Sequence, residues 1–459
     1  MKKTWSLALT FVFALSLILT ACGGKNNNDG ASKDSASPSA SAAPSESASP
    51  SASASSAPLK GEVKVMVPGG GNYLAYVQDT IAKQYMEKNP GVTVKVEQEP
   101  EGGQLTARIA AHDLPDVYVG VFGYQPAKFA KEKLIVDLKD MPGAPELFDR
   151  IAPQFVHEDF GGRYYVPWNA TTQLMIYNKD LFREAGLDPE KPPVTFDQYL
   201  EAAKKISALP KRADGSKVYG DYFWNEALTW GGWYWTMKTQ IYYNFNDAKY
   251  GLFNKMGTDI VFDKPEANMV EFLKFMKQAQ SYAPMSSKDN DFFKRDKGMW
   301  LQFGYGWMAN LKQAKDKPME IGKDVGLAPI PVRKEGDTHW STLDGRSLMI
   351  FKSNPEREEL AFDFIKFMMD DKVNLESLKA LAQLPTLKSL TGDPFFQTPD
   401  VKPFVDQLAN VIPNETVPEL DDVSNILLGE YTRAVLKGEI SPEDAVKNAA
   451  EAARQKLKG

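Results

Sequence analysis

The sequence predicts an α/β protein built in two lobes. Residues 63–121 alternate strand, helix and strand patterns in βαβ order, and about 400 residues follow a low-complexity stretch, more than one ordinary core takes up. Val63, Val65 and Val67 share one side of a strand that stops at Pro68-Gly69-Gly70-Gly71-Asn72. Leu74, Val77, Ile81 and Tyr85 then mark one face of a helix ending before Asn89-Pro90-Gly91. Val92, Val94 and Val96 alternate again as a second strand, and Leu105 and Ile109 lie in an amphipathic stretch. Val117-Tyr118-Val119-Gly120-Val121 reads as a third strand, so the first lobe is expected to hold a mainly parallel sheet with its strand-to-helix loops at the ligand edge. Thr195-Phe196-Asp197-Gln198 has capping-box form, Asn354-Pro355 sets a cap before a first-turn proline, and Ser441-Pro442-Glu443-Asp444 opens a last helix. No internal repeat of solenoid period is present.

Upstream of this body stand three short segments. Lys2 and Lys3 precede an apolar run from Leu7 to Leu19, the arrangement of a secretory leader. The run is shorter than the ~20 residues that span a bilayer. Leu19-Thr20-Ala21-Cys22, followed by Gly23-Gly24, resembles the lipobox of bacterial lipoproteins, in which the leader is cut before a cysteine that is then lipidated. Residues 1–21 are thus expected to be a signal peptide and Cys22 a lipidation site. Between Ala31 and Pro58, 25 of 28 residues are Ser, Ala or Pro, too little apolar surface to offset the entropy of ordering, so residues 22–58 are expected to form a disordered tether. Residues 23–58 would span about 36 Å as a flexible coil.

Composition excludes several chemistries. Cys22 is the only cysteine, so the body has no disulfide, no thiol nucleophile and no cysteine-built metal site. Loss of Lys2 and Lys3 with the leader takes the formal charge from −6 to −8, which argues against a nucleic-acid partner. There is no G-x-S-x-G, no G-x-x-x-x-G-K-[ST] and no H-E-x-x-H. His112, His157 and His339 are far apart in sequence, so neither a metal nor any cofactor is expected. Gly69-Gly70-Gly71 lacks dinucleotide-binding spacing and suits a backbone that approaches a ligand closely.

Aromatic residues are the positive signal. Tyr219, Tyr222, Phe223, Trp224, Trp230, Trp233, Tyr234 and Trp235 fall within 17 positions, against a chain average of 11% aromatic. Flat apolar rings suit the C–H faces of sugars, and their O–H and N–H groups can bond ligand oxygens. The same rings could instead fill a core. Trp168 in Val166-Pro167-Trp168-Asn169, Trp307 in Gly304-Tyr305-Gly306-Trp307, and Trp340 before Asp344-Gly345-Arg346 lie in turn-like contexts. Together these stretches suggest one cleft lined from distant parts of the chain.

The order of motifs resembles the family 1 extracellular solute-binding proteins of ABC importers, the group that includes maltose-binding protein. Leu114-Pro115-Asp116-Val117, Lys133-Leu134-Ile135-Val136-Asp137-Leu138, Gly162 to Trp168 and Met175 to Phe182 carry the resemblance, with Lys297 to Trp307, Val325 to Pro331 and Ala361 to Phe367 following in family order. The resemblance implies the two-lobed, type II periplasmic-binding-protein-like α/β fold, with a ligand cleft between lobes joined by hinge strands. One lobe would take residues 59–168 and about 342–388, the other 169–341 and about 389–459. It implies ligand contacts from Asn72, Tyr73, Tyr124, Trp168, Thr171, Tyr222, Trp224, Trp230, Trp233, Trp307, Asp344 and Arg346. The expected protein is a monomeric, non-enzymatic carrier, held at the extracellular face of the membrane by lipid on Cys22. It would hand a carbohydrate or oligosaccharide to importer permease subunits. The alternatives are a lipid-anchored glycan-active enzyme using acids among Glu99, Glu101, Asp221, Glu226 and Asp344, and a sensor co-receptor that presents ligand.

Overall fold

The computed structural model describes residues 58–458 except 70–71, 101–103, 289, 314–317 and 414. The leader, Cys22 and the linker up to residue 57, with Gly70 and Gly71, lie outside the described residues.

The opening unit forms as its pattern predicts. Strand β1 (Lys60–Val67) pairs in parallel with β2 (Gly91–Gln98) over their full length, and with β3 (Val117–Val121) on its other edge. Val63, Val65, Met66 and Val67 are all buried, because helices cover both faces of a parallel sheet. Between β1 and β2 the chain runs through helical segments Tyr73–Tyr76, Val77–Ala82 and Lys83–Lys88, the middle one π-helical. Val77, Ile81 and Tyr85 point inward along it.

Beyond this unit the expected parallel sheet is mixed. Strands β4 (Val166–Thr171) and β9 (Ser341–Ile350) both belong to it, and β9 lies antiparallel to β3 and to β4. The route of the chain explains the mixture. Strand β4 carries the chain out to a second sheet, with Thr172 alone separating it from β5 (Gln173–Asn178), and β9 brings it back. The second sheet has the order β6 (Tyr219–Asp221), β7 (Lys297–Gly304), β5, β8 (Val325–Ala328). A short strand β10 (Val411–Pro413) pairs with Ser341–Leu343, the start of β9. Two sheets joined by strands that pass between them make this a two-lobed α/β fold.

The capping signals are satisfied. Gln198 N–H donates to Thr195 Oγ1 at 3.3 Å while the Gln198 amide oxygen accepts from Thr195 N–H, closing the capping box of helix Phe196–Ser207. Asn354 and Ser441 likewise accept from the first turns of helices Pro355–Met368 and Pro442–Leu457. Helix Phe196–Ser207 lies so close to β6 that a Cβ on Gly220 would sit 1.9 Å from the Ala203 carbonyl oxygen, so only glycine fits there. Among the described residues no helix is long and apolar enough to cross a membrane.

Candidate functional site

The site begins at the carboxyl ends of β1 and β3, where an open parallel sheet presents its loops. Tyr73 opens the helix after β1 and is buried to 7% exposure. Its ring meets Trp168 edge-on at 5.8 Å and lies under the Arg346 guanidinium at 5.4 Å. Burial pushes the Tyr73 phenol above its ordinary range, against the pull of Arg346 and of an Asn169 hydrogen bond. Asn72 is exposed immediately before it.

Pairing of β4 with β9 lines up the next residues. Asn169 stands opposite Arg346 and accepts its backbone N–H at 3.2 Å, and Thr171 stands opposite Asp344. A slip in register between Pro167 and Asn169 re-aims the strand at this point. Gly345 sits between the two side chains, and a Cβ there would fall 2.2 Å from the Asn169 carbonyl oxygen. Glycine is therefore required for the strands to approach with Asp344 and Arg346 on the same rim.

From Thr171 the site continues onto the second sheet. A Cβ built on Gly304, the last residue of β7, would touch Thr171 Oγ1 at 3.8 Å and Trp307 Cδ1 at 3.7 Å. Trp307 meets Trp224 at 5.2 Å and Trp300 at 5.3 Å, both edge-on, and Trp300 meets Tyr222 at 5.0 Å. Trp307 is partly exposed at the outer end of this stack, and Trp224 is 9% exposed. Behind them Asp221 is fully enclosed and accepts from the Tyr199 hydroxyl at 2.5 Å and from Tyr222 N–H at 2.7 Å, and burial raises its carboxyl above the usual carboxylate range. Burial pulls the nearby Lys238 ammonium in the opposite direction.

Six of the expected residues therefore form one line: Tyr73, Arg346, Asp344, Thr171, Trp307 and Trp224. Trp168 and Tyr222 are wholly enclosed in this structure. Trp168 backs Tyr73, and the Tyr222 hydroxyl donates to the Lys288 carbonyl at 2.6 Å. The backbones of Tyr124, Trp230 and Trp233 are helical, but their side chains lie outside the described residues. Trp300 was not singled out from sequence, because a lone aromatic residue inside a strand carries no signal until the pairing is known. Of the acids considered for catalysis, Asp221 is buried, Glu99 accepts from the Tyr118 hydroxyl, Glu226 is exposed and Glu101 lies outside the described residues. Among the described residues no three His, Cys, Asp or Glu side chains are placed to hold a metal, and His339 Nδ1 lies 2.7 Å from the Ile330 carbonyl oxygen.

Comparison with known proteins agrees with this architecture. Residues 70–374 match the family model for bacterial extracellular solute-binding proteins, and the chain belongs to that family. The maltotriose-binding protein of Pyrococcus abyssi is 26% identical over 329 residues, 69% of this chain and 65% of that one. The sn-glycerol-3-phosphate-binding periplasmic protein of Brucella melitensis is 25% identical, over 62% of this chain and 65% of that one. The match thus spans just under two thirds of each of these relatives. The diacetylchitobiose-binding protein of Streptomyces coelicolor is 25% identical over 81% of this chain and 84% of that one. In fold, the crystal structure of the cyclic α-maltosyl-1,6-maltose-binding protein of Arthrobacter globiformis superposes with a TM-score of 0.71 at 23% identity, covering 87% of this chain and 99% of that one.

Proposed function

We propose that this protein is a lipid-anchored extracellular carrier that traps a carbohydrate or oligosaccharide between its lobes and delivers it to an ABC importer. The observation that carries the reading is the continuous line from Tyr73 and Arg346 to Trp307 and Trp224. It places charged hydrogen-bonding groups and edge-stacked rings along one rim, which is the chemistry a sugar's hydroxyls and C–H faces require. In this reading Tyr73, Thr171, Trp224, Trp307, Asp344 and Arg346 touch ligand, and Asn72, Tyr124, Trp230 and Trp233 are proposed as further contacts. Trp168 and Tyr222 support the contacting rings from behind. The lobes are residues 59–168 with about 342–388, and 169–341 with about 389–459. Ligand touches both only when they close, so binding shifts an open–closed equilibrium that the permease reads. The maltotriose- and diacetylchitobiose-binding relatives support the ligand class, and all three relatives are named as binding proteins rather than enzymes.

The glycerol-3-phosphate-binding relative favours one second reading, a phosphorylated polyol, with Arg346 as the cation that would meet its phosphate. Thermal-shift screening followed by calorimetry separates the two. Linear glucans, chito-oligosaccharides, free polyols and glycerol 3-phosphate form the panel. A glycan that raises the melting temperature and binds saturably supports the carrier reading, and silence from every glycan removes it. For the anchor, Cys22→Ser is expected to release the protein from membranes and impair uptake while leaving ligand affinity unchanged. Loss of binding in that variant contradicts the separation of anchor from trap.

A further inference from the structure

Helix Gly232–Asn246 follows the turn Asn225–Trp230, begins against Asp421 and Asn425, and runs to the place where the chain passes between the sheets. Two of its residues, Gln240 and Asn244, are one turn apart and share a face. Both are buried; Gln240 reaches the starts of β5 and β9, and Asn244 reaches Trp340, the residue just ahead of β9. The Gln240 amide donates to Gln173 Oε1 at the start of β5, and its oxygen accepts from Thr342 Oγ1, 3.4 Å away at the start of β9. Gln173 N–H in turn donates to Ser341 Oγ at 2.9 Å, tying the two crossings together. Asn244 makes a two-way bond with the Trp340 backbone, donating to its carbonyl at 2.7 Å and accepting its N–H at 2.8 Å. The Trp340 indole closes the set on Asp247 at 3.1 Å, just past the helix end.

The opposite side of these strands is open. Neighbouring residues of a strand point to opposite faces, and Leu174 and His339 line a concavity of about 630 Å³ with Ala328 and Gln407. The crossing strands are therefore held on one side by amide hydrogen bonds and border free volume on the other. Inside a protein such bonds are directional and costly to leave unmade, so they fix position more sharply than apolar contact does.

We infer that Gln240 and Asn244 are positioning residues that set the pivot of lobe movement, coupling the aromatic helix to both crossing strands. The inference concerns the hinge alone and is independent of which solute binds. Double electron–electron resonance on the full ligand-free chain tests it. Cys22→Ser removes the only cysteine, and Glu87→Cys and Lys204→Cys place spin labels on exposed helix positions in each lobe. Gln240→Met keeps length and helix propensity but removes both amide bonds, and is expected to widen the interlobe distance distribution about twofold or more. Thr342→Val, which deletes one hydroxyl, is expected to widen it less and in the same direction. A merely structural role would lower the melting temperature and leave the width unchanged, so melting is recorded alongside. Wild-type widths in both variants overturn the inference, and if Gln240→Met does not fold, a wild-type width in Thr342→Val does so alone.

Discussion

The two sides of the site are built from different materials. On the first sheet's edge, Tyr73, Asn169 and Arg346 form a compact set of hydrogen-bonding groups fixed by backbone pairing. On the second sheet, Trp224, Trp300 and Trp307 form an edge-to-face stack whose contacts are between side chains. The first arrangement specifies orientation, because charged and amide groups must meet partners at set angles. The second supplies contact area with few directional demands. In the carrier reading proposed above, one wall would select for contact area and the other for polarity, and closure would need both.

The largest effect is expected where area is lost. Trp307→Ala removes the partly exposed end of the stack and should weaken glycan binding by about 2–4 kcal/mol, with little loss of fold stability, measured by calorimetry and thermal melting. Equal losses in both would place Trp307 in the core and erase the contrast between the walls. Arg346→Lys tests the polar side. Lysine keeps the charge but not the planar fork over Tyr73, so affinity should fall by about 1–2 kcal/mol. Full affinity in Arg346→Lys would reduce that side to a simple positive charge.

Electrostatics sharpen the same comparison. Glu415, in the segment after β10, accepts the N–H groups of Leu252 and Phe253 at 2.9–3.1 Å, and burial pushes its carboxyl up to about 7. A carboxyl raised in the folded state contributes stability that is complete below its unfolded value and is lost as pH rises through the folded one. Stability should therefore decline by on the order of 3 kcal/mol between pH 4.5 and pH 8 on this account, and Glu415→Gln should flatten that slope in denaturant titrations. The smallest effect is at the surface. Lys131, on the helix after β3, pairs with Glu419, ahead of the helix Leu420–Tyr431, at 2.8 Å. An exposed pair contributes about 0–1 kcal/mol, so Lys131→Glu should shift the ligand-free lobe distribution slightly toward open, an effect that salt should abolish.

What was legible in the sequence follows the same division. Periodicity and caps gave β1 to β3 and three helix starts directly, since these signals are local: Val63, Val65 and Val67 alternate, and Thr195, Asn354 and Ser441 cap. The mixed sheet was not legible, because the direction of β9 depends on the chain returning from a second sheet. Tyr73, Arg346 and Trp307 were singled out through motif order, but their alignment comes from the pairing of Asn169 with Arg346 and from the close approach at Gly304. Aromatic clustering marked one segment without separating Trp224, 9% exposed, from Tyr222, which is enclosed behind it. Density of rings reports a local need for apolar area, and only the fold decides which ring faces outward.

The most direct test of the central claim is calorimetry of the wild-type protein and of Trp307→Ala and Arg346→Lys against the best oligosaccharide from the screen. The account predicts saturable binding by the wild type and weakened binding by each variant, with the loss larger for Trp307→Ala. Oligosaccharide binding untouched by both substitutions would contradict a ligand held between these two walls.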